Sequence, residues 1–149
     1  MTYRSTKLFE GYSIAIRQWK AQHSHCKFLH GYAISFKVTF EPIDGTLDDM
    51  GWVTDFGGFK HNGLKEWMNS MFDHTTLIEE DDPMRGYFEM MQTERIAKVI
   101  FLPKMGAEAM AEMVFNKFND TLSKQEGGRV QVYQVECFEN RTNSAVYKR

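Results

Sequence analysis

Tyr32-Ala-Ile-Ser-Phe-Lys-Val-Thr-Phe-Glu41 alternates Ile34, Phe36, Val38 and Phe40 with Ser35, Lys37, Thr39 and Glu41. A period of two puts the four apolar side chains on one face of an extended chain, so this stretch predicts a strand with one face in the core. Upstream, Leu8 to Arg17 reads as a further strand. Downstream, Pro42 to Gly51 supplies turn residues, and Trp52 to Phe56 leads into a segment where Leu64, Trp67, Met68 and Met71 recur at i, i+3, i+4 and i+7. That spacing predicts an amphipathic helix. A second helix is expected from about Gly106 to Leu122, where Met110, Met113, Val114, Phe118 and Leu122 make one apolar stripe. Between the helices lie an acidic patch, Glu79 to Asp82, a short helix from Pro83, and an apolar stretch, Ile96 to Leu102, whose type the pattern does not assign. After Gly127 and Gly128, Val130 to Glu139 alternates imperfectly, as a bulged strand does, and a last strand runs from Ser144 to Tyr147.

The expected fold class is therefore α+β: an antiparallel four-stranded sheet with two main helices on one face. Such a sheet leaves two edges to be paired or covered, and closing several copies into a barrel is one solution, so a homo-oligomer is expected.

At 149 residues and 42% hydrophobic content, the chain has the material for one core, and residues 1–149 are read as one domain. The net charge of -2, with Lys and Arg scattered, offers no footprint for nucleic acid or an anionic membrane. A small solute or a protein partner fits better. Cys26 and Cys137 form neither a disulfide framework nor a paired zinc knuckle, which points to a reducing compartment. The first residues, Met-Thr-Tyr-Arg-Ser-Thr-Lys, lack an apolar leader, and no apolar run is long enough to span a bilayer, so the cytoplasm is the expected location.

Four potential ligands or proton carriers, His23, His25, Cys26 and His30, fall within eight residues just before the core strand. They read either as a site or as solvated histidines beside a small apolar thiol; spacing does not choose. Asp73-His74 places a carboxylate beside an imidazole, for proton transfer or for capping. Glu139 ends a Val-rich strand, where it is either a charge in water or an anchor for the guanidine-like edge of a heterocycle. Glu108 suits the start of the second long helix. Trp19, Trp52 and Trp67 belong to core or subunit contacts.

Taken in order, these patterns carry a resemblance. Cys26-Lys-Phe-Leu-His30-Gly31-Tyr32 resembles the Cys-x3-His-Gly-His loop of the 6-pyruvoyl- and 6-carboxytetrahydropterin synthases. Gly51-Trp52-Val53-Thr54-Asp55-Phe56 is similar to their Gly-Trp-Val-x-Asp-Phe segment, and Phe72-Asp73-His74 to their Leu-Asp-His motif. Glu139 to Tyr147 resembles their C-terminal Glu-Thr block, and Glu108 stands where the Thr-x-Glu-Asn motif has its Glu. The likeness spans nearly the whole chain, a longer segment from about Glu79 to Pro103 excepted.

The resemblance implies a tunnelling fold (T-fold), with trimers or stacked hexamers closing a barrel and with sites at subunit interfaces. It implies a reduced pterin, 7,8-dihydroneopterin triphosphate, as substrate of a lyase, leading toward queuosine and other 7-deazapurines in the carboxy branch or toward biopterin in the pyruvoyl branch. Cys26, Asp73 and His74 would move protons, while Glu139, with Glu108, would bind the pterin. Zinc is the implied cofactor, held in this family by three histidines. Here only His30 is in register, with Gln18 (or its neighbour Arg17) and Tyr32 at the other two positions. His23 or His25 would have to rebuild the site. Failing that, Arg17, Lys20 or Lys27 would replace the positive charge, and the chain would be either an altered lyase or a non-catalytic pterin- or purine-binding protein.

Overall fold

The alternation around Phe36 forms the middle of strand β2 (His30–Pro42), which lies antiparallel to β1 (Ser5–Ile16) on one side and to β5 (Val130–Phe138) on the other. The computed structural model describes residues 1–149, the side chain of Glu126 excepted. Helix α1 (Leu64–Phe72) is followed by β3 (Thr75–Glu79), α2 (Arg85–Thr93), β4 (Lys98–Leu102) and α3 (Ala107–Leu122), and the chain closes with β5 and β6 (Ser144–Lys148).

The expected four-stranded antiparallel sheet is corrected to a mixed sheet of six, ordered β4-β3-β1-β2-β5-β6, in which β1 with β3 and β3 with β4 run parallel. The two added strands are joined by α2, as parallel neighbours require a crossover. All five residues of β3 are buried, so its sequence, Thr-Thr-Leu-Ile-Glu, carries no alternation to read. Segment 79–103, expected as an insertion with one short helix, thus extends the sheet.

Two bulges keep the inward faces apolar. The register of β1 slips between Phe9 and Tyr12, where Gly11 takes φ +87°, so both Phe9 and Tyr12 are buried. In β5, Thr39 faces Gln134 and Phe40 faces Val132, leaving Tyr133 as the extra residue. This is the bulge expected from the imperfect alternation.

Helices α1 and α3 supply Leu64, Met68, Phe72, Met110, Val114, Phe118 and Leu122 to the core against Phe9, Phe36 and Phe40. The rings of Phe9 and Phe118 meet edge-on at 5.4 Å, and Phe40 stacks on Phe59 at 5.0 Å. Removing a ring such as Phe118 would cost about 3–5 kcal/mol. A smaller cluster, Ile78, Phe88 and Val99, seats α2 on β3 and β4. Trp67 packs against the main core, whereas Trp52 is exposed. No helix among the described residues is long and apolar enough to cross a membrane.

Candidate functional site

Beyond Ile16, β1 ends in a turn that returns the chain to β2. Gln18 N–H donates to the Cys26 carbonyl (2.8 Å), and Ser24 Oγ accepts from Cys26 N–H (3.1 Å). The Cys26 loop is thereby tied to the end of β1, while Ile16 pairs with His30 and Ile14 with Tyr32. His30 and Tyr32 are two apart in β2 and share its helix-facing side, their rings edge-to-face at 5.0 Å.

On the neighbouring strand, Cys137 is fully buried opposite Phe36, and Glu139 follows two residues on. A turn holds Glu139: its N–H donates to the Asn143 carbonyl (3.1 Å), and Asn140 Oδ1 accepts from Thr142 N–H and Asn143 N–H (2.9 Å each). The first turn of α3 brings Glu108 to the same corner. Gly106 precedes it with φ +126°, where an added Cβ would lie 3.2 Å from Gln18 Nε2 and 3.3 Å from Glu108 Oε2.

The electrostatics agree with this grouping. Burial, with the charges of Glu139 and Glu108, pushes the Cys137 thiol up to about 12. Burial, together with Glu139 and Cys26, raises the Tyr32 phenol. Gln18, Cys26, His30, Tyr32, Glu108, Cys137 and Glu139 therefore form one corner of the chain. Cys137 is a member that the sequence reading missed; its parity with Glu139 in one strand was the available signal.

Asp73 and His74 stand elsewhere, at the start of β3, which β1 separates from β2. Two strand spacings, roughly 10 Å, intervene. Asp73 Oδ1 is 2.8 Å from His74 Nδ1, His74 is 85% exposed, and its φ of +50° is unusual for a side chain of this size. The neighbouring Tyr12 phenol is raised to about 12 by burial and by the Asp73 charge.

The resemblance leaves two choices for the first metal position, and the geometry decides between them. Arg17 turns away and binds Asp82 through two bonds (Nε–Oδ2 2.6 Å, Nη2–Oδ1 3.0 Å), whereas Gln18 faces Gly106 and donates to the Met105 carbonyl (3.3 Å). Gln18 is the residue at the site. Lys20 is likewise engaged, 2.8 Å from Asp81, and Lys27 Nζ donates to the Gln22 carbonyl (3.3 Å), so none of the three expected cations stands free at this corner.

His30 Nδ1 lies 2.6 Å from the Phe28 carbonyl oxygen, which accepts its N–H; in the neutral ring the lone pair is then on Nε2, which is shut off from solvent and has no partner among the described residues. This is the posture of a ligand nitrogen, yet its companions do not suit zinc. The other two family positions hold a carboxamide, Gln18, and a phenol, Tyr32, where zinc takes imidazole, thiolate or carboxylate. Exposed His23 and His25 do not join it, and no group of three or more His, Cys, Asp or Glu among the described residues is placed to hold a metal ion. The residues present do not fit the three-histidine site.

A surface groove of about 390 Å³, walled by Leu47, Trp52, Val53 and Phe56, is a poorer candidate for chemistry. Its Asp55 carboxylate already accepts from Gly57 N–H (2.8 Å), and its Arg4 is paired with Glu41 and laid over Tyr133.

Residues 6–149 match the profile of the 6-pyruvoyl tetrahydropterin synthase family. The chain belongs to that family. Its curated relatives include the 6-carboxy-5,6,7,8-tetrahydropterin synthases of Rickettsia typhi (37% identical over 61 residues) and Rickettsia felis (33% over 61). Each match covers 41% of this chain, which spans 42% of the length of those relatives. Among solved structures, an uncharacterized protein of Wolinella succinogenes superposes with TM-score 0.82 at 20% identity, covering 98% of this chain and 97% of that one. The 6-pyruvoyltetrahydropterin synthase of Plasmodium vivax, as a catalytic-residue mutant, gives 0.67 at 15% identity, covering 99% and 98%. That of Caenorhabditis elegans gives 0.62 at 19%, covering 99% and 97%. These likenesses show the family's fold, the T-fold, in this chain.

Proposed function

We propose that this family member is a lyase acting on a reduced pterin, most simply 7,8-dihydroneopterin triphosphate, as the Rickettsia 6-carboxytetrahydropterin synthases suggest. The observation that carries the reading is Glu139, held by the 139–143 turn on the same corner as Cys26 and Tyr32. A carboxylate so placed accepts two hydrogen bonds from an aminopyrimidine edge, and charge assistance makes such a pair strong. With the ring anchored there, the substrate side chain extends toward Cys26, whose thiol moves protons on it.

Asp73 and His74 supply the second proton-transfer pair in the family's chemistry. Their exposure, and their distance from Cys26 within one chain, support a site completed between copies. Sheet geometry supports such assembly: β3 pairs with β1 only at Ile14–Ile16, leaving Ser5–Glu10 of β1 and the outer sides of β4 and β6 as open edges among the described residues.

The test is incubation of the purified oligomer with 7,8-dihydroneopterin triphosphate, following triphosphate release and the pterin product by chromatography. Turnover lost in Cys26→Ala is expected; substrate left intact, with or without added zinc, would sink the lyase. A second reading, a pterin- or purine-binding protein without catalysis, is favoured by Gln18 and Tyr32 at the metal positions. It predicts binding abolished by Glu139→Ala in the absence of turnover.

A further inference from the structure

We infer that this chain has exchanged its family's metal for a neutral hydrogen-bond donor: the Tyr32 hydroxyl, on the strand face that holds His30, meets the oxygen of the substrate side chain, and Gln18, His30 and Tyr32 hold no zinc. The inference rests on the pterin-site reading and deepens it. Three observations carry it.

Tyr32 occupies a strand position on the side that holds His30, Cys137 and Glu139, and no hydrogen bond engages its hydroxyl among the described residues. A phenol keeps its proton at neutral pH and donates it without a co-ligand. Gln18, the residue at the first metal position, already donates to the Met105 carbonyl, and its Nε2 lies 3.2 Å from where a Cβ on Gly106 would stand. Its amide group is thus built into the α3 turn and is not presented as a ligand. Finally, His30 Nε2 is shut off from solvent, with the Tyr32 ring edge-to-face against the imidazole, so the one imidazole nitrogen among the three positions is covered and not presented to an ion.

The exchange is an exchange of strength for simplicity. A positioned O–H stabilises a developing negative charge on oxygen, but without the Lewis acidity of a metal. The substrate this corner suits is a pterin with an oxygen on the side chain near the ring.

The first experiment measures metal in the intact oligomer after equilibration with zinc and removal of excess ion. Less than about a tenth of an equivalent per chain is expected, since one imidazole does not retain zinc. Near one zinc, lost in His30→Ala, would overturn the inference. The double variant Gln18→His/Tyr32→His should take up about one cobalt per chain, with the absorption bands of a tetrahedral site, again lost when His30→Ala is added. Failure of a folded double variant to do so would overturn the assignment of Gln18 and Tyr32 to the family's metal positions.

The second experiment compares two probes, 7,8-dihydroneopterin and 6-methylpterin, which lacks side-chain oxygen. Tyr32→Phe should weaken the first about tenfold and leave the second unchanged; equal weakening of both would mean a structural role and overturn the donor. Absence of binding by either probe in the parent chain would overturn the pterin-site reading and the donor role with it, while the zinc measurement stands alone.

Discussion

Arg17 and Asp82 are joined through two parallel bonds of 2.6 and 3.0 Å, and the Asp82 carboxylate is wholly buried. Asp82 also accepts from Met84 N–H (2.8 Å), so one side chain fixes the end of β1 to the segment that enters α2. Breaking a buried pair by removing one partner leaves a charge without compensation. Asp82→Ala is therefore expected to destabilise the fold by about 3–5 kcal/mol, measured by urea denaturation. Replacing both partners by leucine should recover much of that loss, because the orphaned charge is gone. A single-variant loss below about 1 kcal/mol, the range of surface pairs, would show that the bridge is not structural.

The same pair shows where sequence reading stopped. Strand β2, helices α1 and α3, and the bulged β5 each bury one face, so their periodicity survives in the sequence and their bounds fall close to those expected. Strand β3 is buried throughout and β4 is short and apolar, so neither carries a period, and the sheet was expected two strands too small. The choice between Arg17 and Gln18 was closed to sequence for a related reason. Regular alternation ends at Ile16, and only the turn that ties Gln18 to Cys26 shows which neighbour faces the site. Cys26, His30, Glu108 and Glu139 were legible as a set through the family resemblance, and the structure does bring them to one corner. Asp73 and His74 are not brought there within one chain, since strand order alone decides that, and order depends on the unforeseen β3.

Gly106 should tolerate no side chain. At φ +126° an L residue is strained, and the new Cβ would crowd Gln18 Nε2 and Glu108 Oε2 at 3.2–3.3 Å. Gly106→Ala is expected to cost about 1–3 kcal/mol and to displace Glu108. Thermal denaturation reads the first effect and pterin titration the second. Unchanged values in both would mean that the α3 entrance is softer than its geometry implies.

Asn140 offers a way to disturb Glu139 without touching it. Its Oδ1 accepts from Thr142 N–H and Oγ1 and from Asn143 N–H, all at 2.9 Å, which closes the turn that returns β5 to β6. Asn140→Ala removes these bonds at an exposed position, so stability should fall by about 1 kcal/mol or less. Pterin affinity is expected to fall about tenfold, approaching but not reaching the loss in Glu139→Ala. If affinity were untouched, Glu139 would not depend on this turn for its aim.

The Cys137 thiol and the phenol of Tyr12 predict how the protein fails in alkali. Cys137 and Tyr12 are neutral when folded, with pKa values raised by burial to about 12 from ordinary values of 9.0 and 10.0. Once the pH passes those ordinary values, the unfolded chain loses protons that the folded chain keeps. The folded state then binds more protons than the unfolded one, and stability must fall as pH rises. The stabilisation is complete below about pH 9 and is lost progressively up to about pH 12. Urea midpoints measured from pH 8 to 11 should decline, and less steeply in Cys137→Ala and Tyr12→Phe, each compared with its own value at pH 8. Burial makes a parallel kinetic prediction, because a thiol reacts as its thiolate. Cys26 is only partly buried, so a disulfide reagent at pH 8 should modify one thiol rapidly and the second only after denaturation. Rapid reaction of both thiols in the native protein would place Cys137 in contact with solvent and remove the basis for the alkaline decline assigned to it.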